Sequence, residues 1–285
     1  MSYRLRVEHV SRYRYARPVQ SSYNEARLTP LTTPRQLVLD SRVTVRPAAA
    51  LHGYVDYWGT VVHSFDLQQP HDEMVLTGSS VVETATGVGL DGRLRPEVQL
   101  GWTELATPEV ADEYAEYLAP TVMVPIDNRL VELGRSFTGP SPAAAADAAI
   151  GWVRDQLTYV SGTTGVHTSA VEAWEGGKGV CQDYAHLTLA VLRGAGVPAR
   201  YCSGYVHPNG DAEVGETVHG ESHAWIEYWA GSWVAVDPTA GKSIGDRHVL
   251  VARGRDYSDV APVKGIFHGG TTSGLDVTVA LTRLA

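Results

Sequence analysis

The chain is short of cysteine. Its 285 residues hold two, Cys181 and Cys202, and no Cys-x-x-Cys pair. Two cysteines build no disulfide framework, and without such pairs a structural zinc site lacks its usual ligand set. The eleven histidines are scattered and form no His-Glu-x-x-His, so no metal and no cofactor is expected. Long apolar runs are missing as well. None approaches the roughly 20 residues of a membrane span. The start, Met1-Ser2-Tyr3-Arg4-Leu5-Arg6, lacks the apolar stretch of a signal peptide. The expectation is a soluble, cytoplasmic protein with no membrane contact. Basic charge is in deficit: 23 Lys and Arg against 32 Asp and Glu leave a net charge of −9. That balance speaks against nucleic acid and anionic lipid as partners. The length suits one large or two ordinary domains. No signal in the composition sets an oligomeric state.

What is present changes character along the chain. Residues 1–101 look β-rich. Leu5, Val7, Tyr13 and Tyr15, then Val43 and Val45, then Val61, Val62, Phe65 and Leu67, then Val81 and Val82 mark short alternating or apolar runs. Pro, Gly and Asn punctuate them at intervals suited to a sandwich or barrel. His9, His52, His63 and His71 read there as surface or turn residues. Helical patterns begin near Trp102. Pro108–Leu118 has the spacing of a helix with acidic residues near its start. Ser141-Pro142 opens a stronger one, with Ser as N-cap, Pro at the first position and Ile150, Val153 and Leu157 at apolar spacing. Thr168 or Ser169 can cap a shorter helix through Trp174. A further helix is predicted over Gln182–Arg193, ending at Gly194-Ala195-Gly196-Val197-Pro198. Strands follow at Ala199–Val206, Ser222–Tyr228 and Ser232–Asp237. The polar segment His207–Glu221 reads as a loop, either a substrate lid or a plain surface connection.

The most informative stretch is Gly177-Lys178-Gly179-Val180-Cys181-Gln182-Asp183. It sets a cysteine behind glycines, which permit a tight turn and close approach of a substrate. The cysteine also opens a helix, whose unpaired N–H groups favour an anionic sulfur. Thiol catalysis needs such a sulfur, a base to move its proton and a group to orient the base. Cys181, His223 and Asp237 are candidates for these three roles, in that chain order. Cys202 sits in an apolar strand and reads as core. The backbone N–H of Cys181 is a natural oxyanion donor. Gln182, Tyr159 and Trp174 are candidates for a second donor, and Trp225 is a candidate wall of the site. Asp183 most simply stabilises the first helical turn, and His186 reads as helix packing.

A hairpin count links histidine to aspartate. If Trp229-Ala230-Gly231 is a three-residue loop, Tyr228 faces Ser232 and His223 faces Asp237. Directly opposed side chains share one sheet face and touch. Taken singly, each residue has an ordinary reading: a buried cysteine, a strand histidine, a turn aspartate. The ordered set is far more specific than any member.

These residues resemble the transglutaminase-like superfamily, with its papain-type thiol fold, and most closely bacterial members with an extra N-terminal β domain. The resemblance rests on Gly179-Val180-Cys181-Gln182-Asp183-Tyr184-Ala185-His186-Leu187, Arg193-Gly194-Ala195-Gly196-Val197-Pro198-Ala199-Arg200-Tyr201, Ser203-Gly204-Tyr205, Ser222-His223-Ala224-Trp225 and Asp237-Pro238-Thr239. Asp56-Tyr57-Trp58-Gly59 and Gly254-Arg255-Asp256-Tyr257-Ser258-Asp259-Val260-Ala261-Pro262 resemble its flanking segments. It implies a Cys-His-Asp triad at Cys181, His223 and Asp237. It implies an α+β fold, with a papain/transglutaminase-like core of helices packed on an antiparallel sheet over 102–285, including a C-terminal β segment. The β-rich sandwich or barrel-like part over 1–101 precedes it. The reaction expected is thiol-dependent acyl transfer on amide bonds of a peptide or protein substrate; members of the family include transferases, peptidases and other amide hydrolases, and a protease or amidase is favoured because water is always present as acceptor. The alternatives are a protein-glutamine transglutaminase, a non-catalytic peptide-binding module, and amide-bond synthesis in a biosynthetic pathway. Papain's glutamine six positions before the nucleophile is Glu175 here, so that oxyanion role does not carry over. No site matches the calcium dependence of the animal enzymes.

Overall fold

A computed structural model describes residues 2–85, 100–137, 139–220 and 222–285. The stretch 86–99, which the β-rich reading included, lies outside the described residues. In chain order come β1 (Ser2–Ala26), β2 (Gln36–Arg46), β3 (His52–Val55), β4 (Val61–Leu67) and β5 (His71–Ala85). The helical part holds α1 (Trp102–Leu105), α2 (Pro108–Glu113), α3 (Ala115–Leu118), α4 (Asn128–Ser136), α5 (Pro142–Gln156) and α6 (Ala170–Gly176), with two-residue strands β6 (Thr158–Tyr159) and β7 (Lys178–Gly179). Then follow α7 (Cys181–Gly194), β8 (Ala199–Val206), β9 (Thr217–Gly220), β10 (His223–Trp229), β11 (Trp233–Asp237), β12 (Lys242–Ser243) and β13 (His248–Gly254). The chain closes with α8 (Tyr257–Val260), β14 (Val263–Gly269) and β15 (Thr272–Arg283).

An α+β architecture results. The central helix α7 packs on a five-stranded antiparallel sheet of order β12-β11-β10-β8-β13. Every residue from Gln182 to Leu192 is buried, so the helix is enclosed on all sides rather than amphipathic. Helices α4, α5 and α6 surround it, and Ala224, Ile226, Tyr228 and Tyr201 meet it from the sheet within one core cluster.

The second sheet is eight-stranded and antiparallel. Its spine is β1, which is bent. Up to Arg14 it lies between β5 and β15, and from Ser22 onward between β14 and β4. The ladder slips between Arg14 and Val19, where Pro18 has no N–H to offer it. Strands from the two ends of the chain thus build one sheet. A buried polar link joins it to the core: His9 meets the Tyr205 hydroxyl at 3.0 Å and the Ser11 hydroxyl at 2.9 Å. Gln36 adds a second link, with its amide donating to the carbonyls of Leu31 and Leu250 and accepting from the Leu250 N–H.

Local signals explain several elements. Ser141 caps α5 by accepting from the Ala144 N–H at 3.2 Å, with Pro142 at the first position. Ser169, rather than Thr168, caps α6 through a reciprocal capping box with Glu172.

Three expectations are corrected. The single helix over 108–118 is two short ones, broken at Tyr114, whose ring is drawn onto Trp229 at 4.5 Å and Trp233 at 5.5 Å. The loop over 207–221 contains β9, which pairs with β15 from Val279↔Gly220 to Thr282↔Thr217. His9 and His71 are buried, not surface residues. Burial lowers the His9 pKa to about 4.

Helices α4 and α7 cross through glycine. A Cβ on Gly134 would overlap the Val191 carbonyl and lie 2.8 Å from the Ala195 nitrogen. One on Gly194 would lie 2.8 Å from the Val131 Cα. The obstacles are backbone and do not yield cheaply. Gly134→Ala should therefore lower stability by about 1–3 kcal/mol, read from chemical denaturation curves. An unchanged midpoint would remove the close crossing as a determinant of the fold.

Candidate active site

The cysteine is placed by a chain of turns. Gly177, at φ 62°, ends α6 in the left-handed conformation. The strand β7 then pairs in parallel with β6, through Thr158↔Lys178 and Tyr159↔Gly179. One residue later α7 begins at Cys181. Asp183 fixes that start: its Oδ2 accepts from the Val180 N–H at 2.7 Å and from the Thr164 hydroxyl at 2.7 Å. This is the first-turn role expected of it. Burial pushes its carboxyl above the usual range, against the pull of these two hydrogen bonds. Gly179 serves the same turn, because a Cβ there would stand 2.6 Å from Asp183 Cβ and 2.7 Å from its Oδ2. The glycine before the cysteine is thus required by a carboxylate behind the helix start.

The histidine opens β10, opposite Gly204 of β8. Its Nε2–H donates to Asp237 Oδ2 at 2.8 Å. Cys181 lies near the same imidazole, and its side chain is among the causes that raise the His223 pKa. With Nε2 taken by the carboxylate, Nδ1 is the ring nitrogen left for the sulfur. Cys181 is partly exposed, whereas the side chains of His223 and Asp237 are 15% and 5% exposed. Sulfur, imidazole and carboxylate are therefore neighbours in that order, with the imidazole hydrogen-bonded to the carboxylate and the site open to solvent at the sulfur end.

The hairpin that joins histidine to aspartate differs from the count. Ile226 faces Val236 and Trp229 faces Trp233, so the loop is Ala230-Gly231-Ser232. Trp229 stays in the ladder because its ring packs on Trp233 across the strands at 5.5 Å. Extending this register sets Asp237 opposite Trp225, not His223. The slip is two residues, which preserves the sheet face. His223 and Asp237 are diagonal neighbours, a separation that long side chains span.

Aspartate is held from both sides. Oδ1 accepts from the backbone N–H groups of Thr239 at 2.9 Å and Ala240 at 3.2 Å. Burial alone would raise the Asp237 pKa, but hydrogen bonding and charge from His223, the nearby His248 ring and the Ala240 N–H hold it well below the carboxylate range. Burial likewise opposes charge on His223, yet its hydrogen bonds to Asp237 and Cys181, and their negative charge, raise its pKa to about 9. The imidazolium form is favoured at neutral pH.

The remaining candidates fall into separate places. Trp225 is buried, with its ring 6.2 Å from His223, and forms a wall of the site. The single N–H of Trp174 donates to Gln156 at 3.2 Å, and Arg129 stacks on its ring at 4.8 Å. The Gln182 amide donates to the Val166 carbonyl at 3.3 Å. Tyr159 is half-exposed, in β6, with its ring 6.3 Å from Tyr184. Glu175 pairs with Arg129 at 2.8 Å. His186 accepts from the Tyr257 N–H and packs on Tyr201, inside the core. Cys202 is fully buried, and burial pushes its thiol well above its ordinary pKa.

One neighbour was missed in the sequence. His248, at the start of β13, brings Nε2 to 3.8 Å from Asp237 Oδ2. It carried no signal because Asp237 and His248 belong to no common motif. Among the described residues, His223, Asp237 and His248 form a group whose ligand atoms lie within 4.8 Å of one another. His223 Nε2 and Asp237 Oδ2 stand closer than two ligands on a tetrahedral zinc, about 3.3 Å apart. Their contact has the length of a hydrogen bond.

Fold and site together define an α+β protein in which a helix-opening cysteine meets a strand-borne histidine and aspartate. Comparison with known proteins agrees. Residues 5–83 match the bacterial transglutaminase-like N-terminal region, and residues 132–238 match the transglutaminase-like superfamily. The chain belongs to this superfamily. It is 48% identical to the protein ML0607 of Mycobacterium leprae (strain TN) over 285 residues, 99% of this chain and 100% of that one. Over 68 residues it is 43% identical to a protein-glutamine gamma-glutamyltransferase of Pseudomonas aeruginosa, covering 21% of this chain and 10% of that one. The crystal structure of a candidate cysteine protease from Cytophaga hutchinsonii superposes with a TM-score of 0.72 at 19% identity, over 99% of this chain and 100% of that one.

The histidine titration is testable. Asp237→Asn removes the negative charge that outweighs burial, so the His223 pKa should fall from about 9 by about 1–3 pH units. The ring-proton resonances of His223, followed by NMR against pH, measure this. A value that stays near 9 would dissociate Asp237 from the charge state of His223.

Proposed function

We propose that the protein is a cysteine-nucleophile enzyme that cleaves amide bonds of a peptide or protein through an acyl-enzyme. The observation that carries this reading is the His223–Asp237 hydrogen bond with the part-exposed Cys181 beside the same imidazole. In the first step the Cys181 sulfur attacks the amide carbon, and the carbonyl becomes an oxyanion. The N-terminus of α7 is the nearby site of partial positive charge, and the Cys181 N–H supplies one donor. The proton on His223 Nδ1 passes to the leaving nitrogen, and the amine departs to leave a thioester. Water then attacks the thioester carbon while Nδ1 takes its proton. Collapse releases the acid and restores the sulfur. Asp237 stays ionised throughout, holding the ring and stabilising its charged form.

A second reading has one observation in its favour. The similarity to the gamma-glutamyltransferase supports an amine, rather than water, as the acceptor in the second half. The chemistry up to the thioester is common to both.

One experiment separates the readings. The full chain is incubated with a peptide library and a primary amine, and products are identified by mass spectrometry. Hydrolysis yields cleaved or deamidated peptides, and transfer yields amine-bearing ones. Cys181→Ala should abolish either product. In parallel, a chloromethyl ketone should label Cys181 and spare buried Cys202. His223→Ala should slow that labelling about 100-fold or more. Equal and slow labelling of both cysteines, with no product, would leave a peptide-binding module instead.

A further inference from the structure

We propose that His248 is a positioning residue of this site: it holds the Asp237 carboxylate in the orientation from which Asp237 directs His223. The proposal rests on the reading of Cys181 and His223 as catalytic.

The tautomer of His248 is set by its surroundings. The Gly245 N–H donates to His248 Nδ1 at 3.3 Å. A ring nitrogen that accepts carries no proton, so the proton of the neutral ring sits on Nε2. That atom is buried and has no hydrogen-bond partner within ordinary length. Its neighbour is Asp237 Oδ2, at 3.8 Å, and the His248 side chain is 9% exposed. A buried N–H left without an acceptor is costly, and the carboxylate is the acceptor within reach.

The ring is confined. Its plane stands edge-on to Trp225 at 5.6 Å, and its centroid is 6.2 Å from that of His223. The strand that carries it is pressed close to β8. A Cβ on Gly204 would overlap the Val249 carbonyl and lie 2.7 Å from Trp225, and the β8–β13 ladder slips between Leu250 and Ala252. His248 and Trp225 also line a cavity of about 390 Å³ whose wall includes Arg200, Glu227, Trp233 and Arg253. Asp237 does not line it.

Asp237 then has a complete set of donors. Thr239 and Ala240 hold Oδ1, while His223 and His248 share Oδ2. Three of the four move no proton in the reaction. They fix the carboxylate plane, and His223 turns against a rigid partner.

Two variants of the full chain test this. His248→Leu keeps bulk but has no N–H. His248→Gln keeps an N–H near the place of Nε2. Two quantities are read: the downfield NMR resonance of the His223–Asp237 proton, and the rate at which iodoacetamide alkylates Cys181. Thermal unfolding and the silence of Cys202 report an intact fold. His248→Leu should broaden or lose the resonance and slow alkylation about tenfold, and His248→Gln should restore both. The proposal is overturned if His248→Leu keeps the resonance and the wild-type rate. It is equally overturned if both variants lose them alike with unchanged unfolding. Should His248→Leu fail to fold, His248→Ala takes its place in the same comparison. If instead wild-type alkylation proves independent of His223, the catalytic reading fails, and the proton resonance alone decides the role of His248.

Discussion

The structure depends on a helix buried on every side that must still present its first residue to solvent. Helix α7 is enclosed from Gln182 to Leu192 by α4, α5, α6 and the five-stranded sheet. A helix so enclosed has no freedom to slide or roll, because interiors are close-packed and yield little. Its N-terminus is therefore a fixed point. Cys181 sits at that point, and the edge of β10 brings His223 to it. The features before the cysteine serve the same end. Gly177 turns the chain, β7 anchors it to β6, and Asp183 ties the last extended residue to the first helical turn.

Burial and charge oppose each other across the site, and the balance favours a charged pair. Removing an imidazole and a carboxylate from water penalises the ionised form of each. The hydrogen bonds of Asp237 to His223, Thr239 and Ala240 outweigh that penalty. The same balance recurs away from the site at Glu227, which is fully buried yet held below its ordinary pKa by Arg253 and Arg200. Arg200 in turn stacks on Trp233 at 3.8 Å, so the face of the sheet away from α7 carries a charge network beside the small apolar cluster of Cys202, Trp225 and Leu250.

The second sheet closes the chain on itself. Strands β14 and β15 return to β1, and β9 joins them at the edge. Residues just before His223 are thereby tied to the last strand, through Val279↔Gly220 and Ala280↔His219. The polar segment that reads as a free loop is fastened at its far end. Gln36 and His9, both buried, carry hydrogen bonds between the two sheets.

Much of this was legible in the residues. Ser141-Pro142 and the glycines around Lys178 are local signals, and local signals act within a turn or two of the chain. They set where helices begin and end. The order of Cys181, His223 and Asp237, and the even spacing that keeps the last two on one sheet face, were also readable. A two-residue error in the hairpin did not matter to that face, since side chains in a strand repeat every second residue. Tertiary structure alone decided the rest. It chose the true register by packing Trp229 on Trp233, and it spent the Trp174 and Gln182 donors on Gln156 and Val166. It also brought a second imidazole, His248, to the carboxylate and wove the two ends of the chain into one sheet. The physical reason is range. Propensity and periodicity describe neighbours along the chain, whereas these contacts join residues far apart in sequence, and only the packing of whole elements selects among the partners available to them.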